Sequence, residues 1–236
     1  MSVTKERPIL FNGAMVRAIL EGRKTVTRRA LAAPGQGWEF GLNEPGMSFG
    51  TITCPHPKRG KFGVFVRREL SKGSGKYERD VLVCPYGQPG ERLWVRETTE
   101  SYEHSPVTLS RYAADKAPVL YSGCDDSEYN GSVAHWDYPR PSRPSIHMHR
   151  WACRILLEIT AVRVERLQDI SEQQALVEGV RIYEEHAELG DFYHVEGIET
   201  YSADPRKSFS LLWESTGGDW DANPWVWVIE FKRIEQ

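Results

Sequence analysis

An eight-residue stretch early in the chain, from Gly22 to Arg29, concentrates side chains that could do chemistry: Arg23, Lys24, Thr25, Thr27, Arg28 and Arg29. A Thr hydroxyl becomes a nucleophile when a nearby base takes its proton. A Lys amine can be that base when burial or neighbouring cations lower its pKa. Solvated charges at a helix end would explain any single Arg more simply, but the stretch as a whole favours a cationic site.

The backbone conformation of this stretch decides which of its side chains meet. If the stretch is extended, Lys24, Val26 and Arg28 share one face. A turn near Thr25 would instead bring Lys24 and Thr27 together. The sequence is compatible with both arrangements.

An acidic residue near the end of a predicted helix is the second candidate. Ser171 and Gln174 have the spacing of a capping box, and Gly179 predicts where the helix ends. Glu178 is then the last helical residue, and its charge lies near the negative end of the helix dipole. It is either an ordinary surface glutamate or a carboxylate kept there for a cationic partner.

A short predicted strand supplies a third candidate. After a Pro-Gly turn, Leu93 and Val95 alternate with Arg92, Trp94 and Arg96. One face of this strand is apolar. The other face is either the solvated face of an edge strand or the cationic, aromatic wall of a pocket.

The elements that position these residues follow from hydrophobic periodicity. A short amphipathic helix precedes the basic stretch and ends at Gly22. The strand from Cys153 to Val164 is predicted to carry on one face Cys153, Ile155, Leu157, Ile159 and Ala161. A helix begins at Asp204 with an apolar stripe that is better explained as core than as a ligand site, formed by Phe209, Leu212 and Trp213. A strand from Trp225 to Arg233 closes the chain.

These elements predict the fold class and the domain organisation. Few helices and clearly alternating strands favour an α+β fold around a small mixed or antiparallel barrel over a doubly wound sheet. The spans 32–88 and 101–150 are irregular and have the character of insertions rather than of separate domains. We therefore expect a single domain spanning residues 1–236.

Composition limits the classes of function. The chain of 236 residues has a net charge of −3, so a nucleic-acid surface would have to be a local patch. It has no long apolar run and no signal-peptide pattern, so we expect no membrane span and a cytoplasmic location. Scattered cysteines at Cys54, Cys84, Cys124 and Cys153 fit reduced thiols there. The oligomeric state is unknown from the sequence.

Residues of zinc-binding type occur at His147, His149 and Cys153. No second pair of ligands follows them at the spacing of a zinc finger. We therefore expect a metal-independent protein that uses no cofactor.

Four blocks of the sequence, spread from end to end of the chain, resemble the ASCH domain family. They are the helix with the basic stretch that ends at Arg29, and the spans 89–97, 155–179 and 227–231. The two insertions resemble those of longer, phage- and prophage-associated members. The resemblance implies a PUA-like mixed β-barrel with a few flanking helices and long loop insertions.

The resemblance also implies an activity. Small bacterial members of the family remove the acetyl group from N(4)-acetylcytidine with a Lys, a Thr and a Glu. Those positions fall here on Lys24, Thr27 and Glu178. The pair Arg28-Arg29 departs from the Ile-Arg of those enzymes. Because of this departure, the resemblance does not fix which substrate this chain takes.

The expected function is therefore an amidohydrolase that acts on N(4)-acylated cytosine nucleosides. The residues expected to face its substrate are Arg23, Arg28, Arg29, Trp94 and Arg96. The alternative is a non-catalytic module that binds RNA or modified nucleotides, and a weaker alternative is a ribonuclease. All of these have a nucleoside or RNA ligand as partner.

Overall fold

The computed structural model of the protein describes residues 4–32, 35, 37–40, 49–53, 55–122, 130–183 and 191–235. Its α-helices are α1 (Gly13–Leu20), α2 (Glu172–Val177) and α3 (Pro205–Ser215). Its strands are β1 (Glu6–Leu10), β2 (Val26–Ala30), β3 (Trp38–Phe40), β4 (Phe49–Thr51), β5 (Phe62–Glu69), β6 (Tyr77–Val83), β7 (Arg92–Arg96), β8 (Thr99–His104), β9 (Val107–Tyr112), β10 (Ser142–Arg143), β11 (Leu156–Arg166), β12 (Arg181–Tyr183), β13 (Phe192–His194) and β14 (Trp225–Ile234).

The central sheet has five strands in the order β1-β7-β11-β14-β2. Strands β1 and β7 are parallel, and the remaining neighbours in this sheet are antiparallel. Smaller sheets form from β10-β8-β9, from β12-β13, and from β3, β4 and β6 around β5. The α+β class predicted from the sequence is confirmed, and within the described residues the sheets are open.

The long strand β11 differs from its predicted alternation at one point. A bulge interrupts its pairing with β14 between Ile159 and Ala161. The extra residue shifts the side chains by one position, so the core face continues through Val162 and Val164 instead of Ala161. A β-bulge has no strong signature in the sequence, which explains the wrong assignment of Ala161.

The last strand, β14, separates two hydrophobic cores. Trp227, Ile229 and Phe231 pack into one core, whereas Val226 and Val228 pack into the other. All five side chains are buried. Because successive strand residues point to opposite faces, the part of β14 that lies between the two cores, from Trp225 to Ile229, is apolar at every position.

The edge strand β2 pairs with β14, and Thr27 lies opposite Ile229 while Arg28 lies opposite Val228. Thr27 therefore shares a face with the first core, and Arg28 with the second. At the other end of the sheet order, the β1 residue Leu10 accepts a hydrogen bond through its carbonyl from Arg29 of β2 (2.5 Å). The two edges of the five-stranded sheet thus approach each other.

The predicted insertions contribute strands that pack on this sheet. Strands β3 to β6 lie in the first insertion, and most of β8 with β9 and β10 lies in the second. Val64 and Cys84 from the first, and Ala114 from the second, belong to the same core as Trp227. The expectation of a single domain stays a prediction.

Other features concern the cysteines and membranes. Cys84 and Cys153 are both buried. Cys54 and Cys124 lie outside the described residues. No helix in the described part of the chain has both the length and the apolar character needed to cross a membrane.

Candidate functional site

The backbone at Lys24 is fixed by the end of α1. Gly22 has a positive φ of 76°, which ends the helix and turns the chain. The amides of Arg23 and Lys24 both donate to the carbonyl of Ala18, at 2.9 and 3.0 Å. The chain is therefore turned at this point before it enters β2, and the Lys24 side chain is directed inward, where it has no exposed surface.

Glu178 is brought to Lys24 by the end of α2. The helix begins with the predicted capping box of Ser171 and Gln174, and Glu178 is its C-cap. Lys24 Nζ donates to Glu178 Oε2 at 2.6 Å and to the Glu178 carbonyl at 2.8 Å. The glutamate is only 2 % exposed, so a carboxylate that the sequence allowed to be a surface residue is buried against a cation.

Arg28 holds the second oxygen of the same carboxylate. Its guanidinium donates to Glu178 Oε1 at 3.2 Å, to Gln174 Oε1 at 2.8 Å and to Glu165 Oε2 at 3.1 Å. Its side chain is fully buried. The buried carboxylate therefore pairs with two cations, Lys24 and Arg28, while Glu165 on β11 gives Arg28 a second, partly exposed counter-ion.

The protonation of Lys24 reflects this balance. Burial lowers the pKa of Lys24, Glu178 opposes that shift by charge and by hydrogen bonding, and Arg29 and Arg28 add to it. The net direction is downward. A buried amine with a lowered pKa can exist as the neutral form that accepts a proton.

A cavity of about 510 Å³ opens beside this ion cluster at the exposed edge of β2. Thr27, Arg28 and Arg29 of β2 and Glu178 line it, together with Leu10, Phe11, Asn12, Met15, Ala30, Thr98, Ser145, Phe209, Leu212, Trp213, Thr216, Gly217 and Gly218. Because β2 is an edge strand, successive residues from both of its faces belong to the lining of the same cavity. Lys24 lies behind this wall, joined to it through Glu178.

The predicted substrate-facing residues separate into two groups. Arg28 and Arg29 line the cavity, and burial lowers the pKa of Arg29. Arg23 instead pairs with Glu21 on the surface side of the helix end, at 2.7 Å. The residues around the cavity do not include Arg23, nor Trp94 and Arg96 of β7, which stack on one another at 5.3 Å.

One wall of the cavity was not predicted as part of a site. Phe209, Leu212 and Trp213 of α3 were expected to be core residues, and they are both buried core and cavity wall. The indole nitrogen of Trp213 is buried and has no hydrogen-bond partner among the described residues. An apolar stripe is the same sequence signal for both roles, so periodicity alone does not reveal the cavity.

Comparison with protein-family models, with curated proteins and with solved structures finds no match to this chain. The site therefore has to be interpreted from its own chemistry. In the described part of the chain, no group of three or more His, Cys, Asp or Glu residues is placed to hold a metal ion. What the geometry offers is a hydroxyl, a carboxylate and a buried amine next to a cavity that contains further apolar and cationic side chains.

Proposed function

We propose that this chain is a member of the ASCH family with a PUA-like barrel. The close approach of the two sheet edges, through the Arg29 guanidinium and the Leu10 carbonyl, supports a sheet that curls toward a barrel. The mixed strand order, with one parallel pair at β1 and β7, supports it as well.

The proposed activity is hydrolysis of the amide bond in an N(4)-acylated cytosine nucleoside. The observation that carries this proposal is the buried pair of Lys24 and Glu178 next to a cavity that Glu178 and Thr27 line. The volume of about 510 Å³ is within the range of small-ligand pockets, about 300–1,000 Å³. The proposal places a planar base against the apolar part of the lining, and Arg29 is one of the cationic residues of that lining.

The chemistry requires a nucleophile, a proton carrier and stabilisation of the oxyanion. The Thr27 oxygen attacks the acyl carbonyl, and its proton passes to the pair of Lys24 and Glu178. The same pair returns a proton to the exocyclic nitrogen, which leaves as the amine of cytosine. Water then attacks the acyl ester on Thr27 and releases the carboxylic acid. Arg29 on the cavity wall is the group available to stabilise negative charge.

Incubation of the purified protein with N(4)-acetylcytidine tests this proposal. Cytidine formation is followed by ultraviolet absorbance, and 5′-O-acetylcytidine is the matched control substrate with its acyl group on the ribose. The proposal expects hydrolysis of the N(4) amide and little hydrolysis of the ribose ester. Failure of a folded preparation to release cytidine would reject it.

A binding module for modified nucleotides is the second candidate. The observation that favours it is the hydrogen bonding of Lys24, which goes to Glu178 and not to the Thr27 hydroxyl. A site that only binds needs no activated nucleophile. Calorimetric titration with N(4)-acetylcytidine distinguishes the two functions, because a reader gives saturable heat and leaves the ligand intact.

A further inference from the structure

The cluster around Glu178 contains one more residue with a role that the Lys-Thr-Glu scheme does not assign. We propose that Arg28 is a positioning residue that locks the Glu178 carboxylate in place and, as a second buried cation, allows Lys24 to act as a neutral base. This inference rests on the proposed function for its catalytic consequence, but its electrostatic content concerns the protein alone.

The geometry separates the two oxygens of Glu178. Oε2 accepts from Lys24 at 2.6 Å, whereas Oε1 accepts from Arg28 at 3.2 Å. A carboxylate held at both oxygens has its plane fixed. With Lys24 alone as partner, the carboxylate could rotate about its terminal torsion, because that torsion is broad for glutamate.

Arg28 is itself fixed by two further elements. Gln174 accepts from Arg28 at 2.8 Å, and the same Gln174 oxygen accepts from the Ser171 amide at 3.1 Å as part of the helix cap. Glu165 on β11 accepts at 3.1 Å. The guanidinium also lies over the ring of Phe209, 5.9 Å from its centre. Arg28 thus ties β2 to α2 and β11, and its charge cannot move away from Glu178.

Charge balance gives the second part of the role. The charged groups that face Lys24 are Glu178 from the end of α2 and Arg28 and Arg29 from β2. Burial is the largest cause that lowers the pKa of Lys24. Glu178 opposes burial, since an opposite charge nearby stabilises the ammonium ion. When Arg28 shares the carboxylate, the single negative charge is divided between two cations. Arginine keeps its proton in proteins, so Lys24 is the member of the cluster that can lose one.

Glu165 on β11 is the second carboxylate near this cluster, and its influence on Lys24 is weaker than that of Arg28. Glu165 pairs with Arg28 and also with Arg163, which in turn pairs with Glu230. Glu165 is 22 % exposed at its side chain, whereas Arg28 and Lys24 have no exposed side-chain surface. Solvent weakens the influence of Glu165 on the buried amine more than that of Arg28.

The test is a pH titration of Lys24 by NMR, with lysine labelled at Cε and the Lys24 signal assigned by its loss in Lys24→Arg. Wild-type protein is compared with Arg28→Met, with Arg28→Lys and with the control Arg163→Met. The control removes a cation that pairs with Glu165 and Glu230 instead of Glu178. We expect the Lys24 midpoint below the ordinary value of 10.5 in the wild type, higher in Arg28→Met, and close to wild type in Arg28→Lys and Arg163→Met. An unchanged midpoint in Arg28→Met would overturn the proposal.

The variant Glu165→Gln covers the case in which Arg28→Met does not fold. It removes the partly exposed counter-ion of Arg28 and leaves the buried contacts in place. The cationic influence of Arg28 on Lys24 then increases, so the midpoint should fall below that of the wild type. A midpoint equal to or above the wild-type value would contradict the inference.

The kinetic consequence uses the same variants. Each unit by which the Lys24 midpoint rises lowers the neutral fraction about tenfold at pH values below the midpoint. We expect the pH profile of kcat/KM on N(4)-acetylcytidine to move to higher pH in Arg28→Met and to return in Arg28→Lys. A midpoint shift without any turnover would reject the proposed function alone. Turnover together with a Lys24 midpoint that is the same in the wild type and in Arg28→Met would reject this inference alone.

Discussion

Glu178 and Glu97 are both buried glutamates held by arginine, at 2 % and 1 % exposure, but their surroundings differ in charge and in access. Glu97 receives both bonds from Arg154, at 3.0 and 2.7 Å, and Arg154 also pairs with Asp115. One cation there serves two carboxylates. At Glu178, two cations share one buried carboxylate.

This difference decides which group can exchange a proton. Burial acts to lower the pKa of Arg154, but its bonds to Glu97 and Asp115 outweigh burial and raise it. Its proton is therefore held tightly. In the other cluster the pKa of Lys24 is lowered. Glu178 lines the cavity and Glu97 is not among the residues that do. The Glu178 cluster thus combines an excess of buried positive charge, a lysine and an adjoining cavity, and these are the features that suit it to proton transfer.

A large kinetic effect is expected when the same substitution is made in both clusters. Glu178→Gln should lower kcat/KM on N(4)-acetylcytidine by at least about 100-fold, because general acid–base groups contribute on that scale. Glu97→Gln should keep nearly full activity per folded molecule. Initial rates normalised to the folded fraction give the answer. Equal losses in the two variants would remove the distinction between the clusters.

A loss of stability is expected from substitutions in the cluster around Glu97. Glu97→Ala leaves Arg154 without its most buried partner, and we expect the free energy of unfolding to fall by about 3 kcal/mol. Asp115→Ala removes the more exposed partner and should lower it by less than about 1 kcal/mol. Urea denaturation measures both. If the loss in Asp115→Ala equals or exceeds that in Glu97→Ala, burial is not what distinguishes the two carboxylates.

The pH dependence of stability tests whether Lys24 has a lowered pKa in the folded protein. Because the pKa of Lys24 is lower in the folded than in the unfolded state, the unfolded state binds more protons between that lowered value and 10.5. Stability of the wild type relative to Lys24→Met should therefore rise as pH rises through this window. Denaturant unfolding at several alkaline pH values measures the difference. A difference that stays flat or falls with pH would show that Lys24 is not destabilised as an ammonium ion.

A smaller effect is expected at the cavity wall formed by α3. A Cβ atom at Gly218 would lie 2.2 Å from the Trp213 indole nitrogen, so Gly218→Ala must displace the indole. We expect a raised KM and altered tryptophan fluorescence. At Gly50 an added Cβ would meet only an ordinary contact, 3.8 Å from Phe65, which makes Gly50→Ala the control. An unchanged KM in Gly218→Ala would show that the position of Trp213 does not affect substrate binding.

Part of this arrangement could be predicted from the sequence, because it depends on local signals. The capping box of Ser171 and Gln174 and the stop at Gly179 place Glu178 at the end of α2, as the structure shows. The turn at Gly22 releases the basic stretch at the end of α1. Helix ends are encoded by a few neighbouring residues, so their positions follow from short patterns.

The remainder depends on tertiary packing. The bonds of Arg28 to Gln174 and Glu165 join residues more than a hundred positions apart, and no local pattern predicts them. The bulge near Thr160 shifts the core face of β11 without a sequence signature. Trp213 is indistinguishable from a core residue until the cavity beside it is seen.

The most direct test compares the proposed nucleophile, Thr27, with a control threonine near Glu97, Thr99. Thr27 and Thr99 are both strand residues that are 2 % exposed. Thr27 lines the same cavity as Glu178, whereas Thr99 lies two residues after Glu97 in the sequence. Release of cytidine and acetate from N(4)-acetylcytidine is measured for the wild type, Thr27→Val and Thr99→Val. We predict turnover by the wild type and by Thr99→Val, and a loss of several powers of ten in Thr27→Val, as for other activated nucleophiles. Equal release by wild type and Thr27→Val, or none from folded wild type, would contradict the account.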